Sequence, residues 1–247
     1  AAGLALARAR ALSAVDLWRG QAEWQVVRAE TCGEWVPHSP AGWLIHDTLS
    51  VRLHPRQACN ALVAALQARG GEVVADHQAE GRVIHATGVA GLEEANSRLP
   101  RTFGNGVKGQ AALLALDMRD APQLFADTVH IVPHADGTVA IGSTSERTYD
   151  NATATDNQLD EIIARARAAV PALRDAPVIA RWAGLRPRSR SRAPVLGVHP
   201  VHTDQYIANG GFKIGFGMAP KVAQVMADLV LDGVDNIPAG FRPEASL

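Results

Sequence analysis

A guanidinium and a dense run of glycines are where this sequence offers chemistry. Arg186 stands between Leu185 and Pro187 in WAGLRPRSRSRAPVLGVHPVHTDQYIANGGFKIGFGMAP, residues 182–220. Ala183, Gly184 and Leu185 form a short apolar segment that delivers the arginine. Pro187 has no N–H to give to a strand ladder and is expected to end regular pairing there. Past a basic loop, Gln205 to Ala208 reads as a strand and Asn209 to Gly217 as a glycine-dense turn, with a helix expected from near Pro220. A strand–turn–helix unit aims backbone N–H groups and a positive helix end at an anionic or electron-rich ligand. A guanidinium beside such a turn points to a site that holds a carboxylate next to a bound cofactor.

Other residues capable of chemistry carry weaker signals. Lys213 lies inside the glycine turn, and His130 lies in a strand where it faces either a cavity or the core. His85 and His134 read as structural, and His199-x-x-His202 lacks the further ligands that a metal site needs, so no metal is assigned. No GxSxG elbow and no HExxH pair occurs. Gly104-x-Gly106-x-x-Gly109 matches the dinucleotide fingerprint to the letter, yet Arg98, Pro100, Arg101 and Thr102 before it do not make a strand. No well-placed acid follows, so the run reads as a glycine-rich crossing between domains. Arg181, Arg188, Arg190 and Arg192 read as a solvated loop, with recognition of an anionic substrate or partner as the alternative.

The bulk properties bound the function. A chain of 247 residues with 47% hydrophobic and 20% charged residues can bury a large core in one domain or two. A formal net charge of −1 gives no general drive toward nucleic acid or an acidic membrane surface. Cys32 and Cys59 have no metal-type spacing, which favours a reducing cytoplasm over a disulfide scaffold. No apolar run of about 18 or more residues is present, so a membrane span is not expected. The chain starts Ala-Ala-Gly-Leu and runs straight into a helical pattern, which reads as the interior of a longer protein.

The positioning elements follow in order. Residues 3–17 read as a helix with Leu4, Leu12 and Leu17 available for packing, and Trp18, Trp24, Trp35 and Trp43 follow at the irregular intervals of packing residues. Gly42 to Leu53 reads as strands with polar turns. Pro55 opens a helix that Gly70-Gly71 ends. Val73-Val74 and Val83-Ile84 read as short buried strands separated by the polar connection Asp76–Gly81, completing a β–α–β piece and a partly parallel sheet. Gln110–Leu116, Thr128–Pro133 and Thr138–Gly142 read as strands, with Ala135-Asp136-Gly137 as a hairpin turn. Thr155 is expected to cap a helix through Ala169 whose Leu159, Ile162, Ile163 and Ala166 share one side. A strand near Val178–Trp182 returns the chain to Arg186, and the final helix is expected to present Val222, Val225, Met226 and Leu229 to a core before Gly233 ends it.

The segments GWLIHDTLSVRLHPRQACNALVAALQARGGEVV, RVIHATG, VKGQ, HIVPHADGTVAIGST, WAGLRPRSRSRAPVLG and ANGGFKIGFGMAP occur in that order. Together they make nearly the whole chain resemble the glycine oxidase and D-amino-acid oxidase family of FAD-dependent oxidoreductases. The resemblance implies a mixed α/β fold: a three-layer dinucleotide domain that binds FAD, incomplete at its N-terminus, interleaved with a mixed-sheet substrate domain. It divides the chain into substrate-domain segments 1–54 and 108–182 and FAD-binding segments 55–107 and 183–247. In such enzymes the arginine of the GLRP motif clamps the substrate carboxylate, here Arg186. Lys213 stands where the glycine-oxidase-like subgroup usually has an arginine, and His130 where the substrate strand carries an aromatic residue. The flavin would be held by Thr87, Gly88, Gly184, Gly211, Phe212, Lys213, Ile214, Gly215, Phe216, Gly217 and Met218. The family's N-terminal βαβ unit with its GxGxxG and ribose-binding acid has no counterpart in these residues, and the connection near Asp76–Gly81 looks shortened.

The implied activity is oxidation of an amino acid or secondary amine. Hydride passes from Cα to the flavin N5, and the resulting imine hydrolyses. Positioning in a dry site carries such chemistry without a protein base of tuned pKa, which fits a sequence lacking a catalytic dyad. The implied partner is a small-molecule amino acid or amine, with a separate N-terminal segment or a second copy as further partners. Two rival readings are a non-catalytic substrate-binding fragment and a flavin oxidase acting on an amine within modified tRNA, the latter opposed by the near-neutral charge.

Overall fold

The computed structural model describes residues 2–75 and 80–247. These residues hold five α-helices and ten strands: α1 (Ala2–Trp18), β1 (Trp24–Arg28), β2 (Trp43–Asp47), α2 (Pro55–Gln67), β3 (Ile84–His85), α3 (Gly88–Arg98), β4 (Gly104–Ala115), β5 (Leu124–Ala126), β6 (Val129–Pro133), β7 (Thr138–Gly142), α4 (Asn157–Ala169), β8 (Val178–Ser189), β9 (Val195–Val198), β10 (Tyr206–Asn209) and α5 (Gly215–Ala227). The strands form a β1-β2 pair, a three-stranded sheet ordered β3-β10-β9 and a five-stranded sheet ordered β5-β6-β7-β4-β8. The fold is mixed α/β, as the sequence indicates. None of the described helices is long and apolar enough to cross a membrane.

The chain divides into two compact units, Ala1–Val73 with Gln110–Thr144 and Thr155–Trp182, and Val74–Gly109 with Ser145–Ala154 and Ala183–Leu247. β4 and β8 contribute residues to both. Residues 55–73, which the resemblance groups with the FAD-binding segments, belong to the first unit.

The first unit is built by two periodicities meeting. Alternate residues of β4 (Ala112, Leu114), β6 (Val129, Ile131) and β7 (Val139, Ile141) are fully buried against Leu159, Ile162, Ile163 and Ala166 of α4. The expected packing side of α4 is therefore the observed one. Its cap is Asp156, whose carboxylate accepts from the Gln158 N–H at 3.0 Å, one residue beyond the expected Thr155. Gln110 explains the shift: its side chain donates to Asp156 at 2.9 Å and accepts from the Asp156 N–H at 2.8 Å, fixing that residue at the helix start. Trp35 joins this core and donates its indole N–H to the Pro122 carbonyl at 2.8 Å. Leu159→Ala is expected to cost about 2–5 kcal/mol, read from the urea midpoint, because Leu159 is wholly enclosed.

Several local expectations are corrected. Leu12 and Leu17 are 75% and 76% exposed, whereas Ala14 is buried. From Gly42 to Leu53 only residues 43–47 form a strand. α2 has the expected proline start and glycine stop, with Gly70 at φ +83°. Val73 and Val74, read as a buried strand, are more than half exposed and unpaired in any strand. Of the expected connection Asp76–Gly81, residues 76–79 lie outside the described residues.

The second unit joins β3 to β10 in parallel and β10 to β9 antiparallel. The partly parallel sheet is as expected, but its parallel partner is β10. α3 packs Leu92 and Ala95 with Phe103, Val195 and Ile207, while Leu196, Val225, Met226, Val230 and Ile237 form a second cluster. Neither α3 nor β9 is anticipated by the sequence reading. Asn96 organises the exit from α3: its side-chain oxygen accepts from the Phe103 N–H at 2.7 Å and its amide donates to the Gly104 carbonyl at 2.8 Å.

Candidate functional site

β8 does not stop at Pro187 but continues to Ser189. It is the edge strand of its sheet, where a missing N–H is tolerated. The strand meets the glycine turn directly: the Phe212 N–H donates to the Pro187 carbonyl at 3.0 Å, and Arg188 bridges Gly211. The two features that stand out in the sequence are thus hydrogen-bonded to one another.

Arg186 is half-buried and lies over Gly109 of β4. A Cβ on Gly109 would stand 2.1 Å from both terminal guanidinium nitrogens. The other glycines of the false fingerprint make room for the same neighbourhood, since a Cβ on Gly104 would come within 2.7 Å of the Arg188 carbonyl oxygen and one on Gly106 within 3.1 Å of Leu185. The G-x-G-x-x-G run is a strand that permits close backbone approach, not a phosphate-binding turn.

Beneath Arg186 lies an ion pair absent from the sequence reading. Lys108 and Glu146 are 3% and 8% exposed, their charged atoms 3.4 Å apart, with reciprocal backbone bonds of 2.9 Å. The Lys108 carbonyl also accepts from Arg186 Nη1 at 3.4 Å. Burial pulls the Arg186 guanidinium below its usual range, and the Glu146 carboxylate opposes that shift. Lys108, Glu146 and Arg186 thus form one charged group, of which the Arg186 guanidinium is the most exposed member. Glu146→Gln is expected to cost about 3–5 kcal/mol in a denaturant titration because two cations then remain together. Lys108→Met should cost less, since Arg186 still faces Glu146.

The same unit holds a cavity of about 630 Å³, lined by residues including Ile84, Gly88, Gly211, Met218, Val222 and Pro187, the residue that follows Arg186. α5 starts at Gly215 rather than near Pro220, which lies inside the helix. Neither Thr87 before α3 nor Ile214 before α5 caps its helix through a side chain, so both helices begin beside the cavity without a side-chain acceptor for their first N–H groups. A Cβ on Gly88, at φ +60°, or on Gly215 would enter open space. Buried Asn209 ties the turn to α3 by donating to the Gly88 carbonyl at 2.8 Å and accepting from the Gly210 N–H at 2.7 Å.

The remaining expected site residues fall as follows. Phe212, at φ +44°, is flanked by the Arg188 guanidinium at 5.7 Å and the Lys213 ammonium at 5.6 Å from its ring centre. Thr87, Lys213, Ile214, Phe216, Gly217 and Gly184 are exposed, while Gly88, Gly211, Gly215 and Met218 are partly covered. His130 belongs to the first unit, exposed on β6 with its ring 4.6 Å from Phe125. Of the basic cluster, Arg181 is paired with Asp160 at 2.7 Å. Lys108, Gly109, Glu146 and Asn209 were not identified from sequence. Lys108, Gly109 and Asn209 do stand within the VKGQ and ANGGFKIGFGMAP segments, whereas nothing local marks Glu146.

A sequence profile of the family described as FAD dependent oxidoreductase (DAO) matches residues 2–229. The chain belongs to that family. It is 35% identical to a glycine oxidase of Pseudomonas putida over 144 residues, 57% of this chain and 39% of that protein. A glycine oxidase of Bacillus licheniformis is 25% identical over 205 residues, covering 73% and 55%. The chain thus spans well under two thirds of these relatives' length. Among solved structures, a glycine oxidase from Bacillus cereus superposes with a TM-score of 0.72 at 20% identity, covering 93% of this chain and 70% of that one. An iminodiacetate oxidase from Chelativorans sp. superposes with a TM-score of 0.76 at 19% identity, covering 89% and 67%.

The family's cofactor is FAD. The residues present fit its ring portion: the cavity has apolar walls, open space over Gly88 and Gly215, and two helix starts for electron-rich atoms.

Proposed function

We propose that this chain carries the flavin-ring and carboxylate-binding part of an FAD-dependent oxidase or dehydrogenase of amino acids or carboxylate-bearing secondary amines. The observation that carries the reading is Arg186, seated over Gly109 on a strand whose next residue bonds to the glycine turn of the cavity. The iminodiacetate and glycine oxidases among its neighbours act on small amines with carboxylates, which supports the same substrate class. The second unit is assigned the cofactor, with Thr87, Gly88, Gly184 and Gly211 to Met218 as its contacts. The first unit is assigned to the substrate domain, with His130 on its strand.

When bound, the flavin supplies the two-electron acceptor. The protein's own contribution is positional. The Arg186 fork donates two parallel N–H···O bonds to the carboxylate, with Lys213 adding a second positive charge, and this fixes the direction of the substrate's Cα–H. Breaking that bond with loss of two electrons, together with loss of the amine proton, leaves an imine. Addition of water to the imine then gives the carbonyl product and releases the amine. No protein base is required once the substrate binds as its neutral amine.

The test is direct. Protein purified with its full natural chain is expected to be yellow and to release flavin on denaturation. A colourless, stably folded protein that takes up no added FAD would overturn the reading.

A further inference from the structure

We propose that His85, His199 and His202 form a binding site for a divalent transition-metal ion of the imidazole-preferring class, Zn²⁺, Ni²⁺ or Cu²⁺. These three histidines each offer a ring nitrogen within 4.8 Å of the other two, and theirs is the one such cluster among the described residues. Fold topology brings them together: β3 runs parallel to β10, and the 199–205 turn joining β9 to β10 folds back over the end of β3. His199-x-x-His202 by itself lacks a third ligand. His85 supplies it from 114 residues earlier in the chain.

The hydrogen bonds around the rings are those of metal-binding imidazoles. His202 Nε2 meets Glu94 Oε1 at 2.8 Å, and His85 Nε2 meets Gln205 Oε1 at 2.5 Å. Both partners accept, so both Nε2 atoms carry the proton and both Nδ1 atoms present a lone pair. A carboxylate or carbonyl oxygen behind the N–H is the arrangement that fixes a ligating ring and raises its basicity. His199 is 7% exposed and is the most enclosed of the three rings, packed against both of the others.

Coordination has a definite structural consequence. His85 and His202 stack within 3° of parallel with ring centres 4.7 Å apart. Metal–nitrogen bonds of about 2.0–2.1 Å require donors roughly 3.3 Å apart and in the plane of each ring. Metal entry therefore opens the stack. His199 Nδ1 accepts from the Val201 and His202 N–H groups at 3.1 Å each. Coordination through Nε2 selects the other tautomer and gives up those two bonds, so the 199–202 turn must shift as the ion binds.

The experiment is a titration of the chelator-stripped, full natural chain with Zn²⁺ followed by calorimetry, and with Co²⁺ followed by visible absorption. One equivalent of Zn²⁺ is expected to bind and raise Tm, and Co²⁺ to give the intense bands of a four-coordinate site with nitrogen ligands. His85→Gln is expected to lose more than about 100-fold in affinity, and Glu94→Gln, a half-exposed and isosteric change, about 10–100-fold. Stoichiometric binding unaffected by either variant would place the ion elsewhere and overturn the proposal, as would absence of any Tm shift and of the cobalt bands. Should His85→Gln fail to fold, Glu94→Gln alone decides between the outcomes.

Discussion

Arg186→Leu is expected to lower kcat/KM for carboxylate-bearing amines by about 30-fold to a few thousand-fold, the equivalent of about 2–5 kcal/mol for removing one partner of a buried hydrogen-bonded charge pair. The loss should appear mainly in KM, because the guanidinium holds a group that does not itself react. Flavin content should be unchanged, since the cavity walls come from β10, α5 and the start of α3 rather than from the guanidinium. The fold should tolerate the change, because Glu146 keeps Lys108 as its ion partner at 3.4 Å. Arg186→Lys retains the charge and loses the planar fork, so it should recover part of the affinity only. Steady-state kinetics with a carboxylate substrate checks all three, and unchanged kinetics in the leucine variant would remove Arg186 from the site.

Gly109→Ala should reproduce much of that defect without touching a charged group. Its methyl carbon would fall 2.1 Å from Nη1 and Nη2 and 2.3 Å from Cζ of Arg186. Contacts of that length force the guanidinium to move by more than 1 Å, and a displacement of that size in a positioning group costs about 100-fold in rate. The atom displaced is the far end of a flexible side chain, so stability should change little. Gly104→Ala supplies the contrast. There the new methyl meets the Arg188 carbonyl oxygen at 2.7 Å and Leu92 at 2.9 Å, and a backbone atom with a core side chain cannot step aside. That variant should lower the unfolding midpoint instead. A Gly109→Ala enzyme with ordinary KM would show that the observed seat of Arg186 is not the one used in binding.

What the sequence disclosed and what it withheld follow from the range of each interaction. α4 was legible because Leu159, Ile162, Ile163 and Ala166 repeat at helical spacing, and α2 because Pro55 and Gly70 punctuate it. The kinship was legible from an ordered series of motifs. α3 was not, because Gly88, Gly91 and Asn96 disfavour a helix by propensity, while burial of Leu92 and Ala95 against Phe103 and Ile207 outweighs them. Pro187 and Pro220 depart from the usual effect of proline. An edge position spares the first its missing bond, and the uncapped start at Gly215 places the second inside a helix. Within the site, Arg186 was visible but its support was not. Lys108 and Glu146 lie 38 positions apart in the chain, and nothing local marks either as buried. The three histidines follow the same rule, with HxxH visible and His85 supplied only by the parallel pairing of β3 with β10.

The central claim is that the Arg186 guanidinium recognises a carboxylate beside the glycine-lined cavity. It is met most directly by equilibrium binding of propionate and propionamide to the flavin-loaded natural protein, followed by perturbation of the flavin spectrum. The predicted result is saturable binding of the acid, little binding of the amide, and loss of this preference in Arg186→Leu. Equal binding of acid and amide by the unaltered protein, or a preference for the acid that survives the substitution, would contradict it.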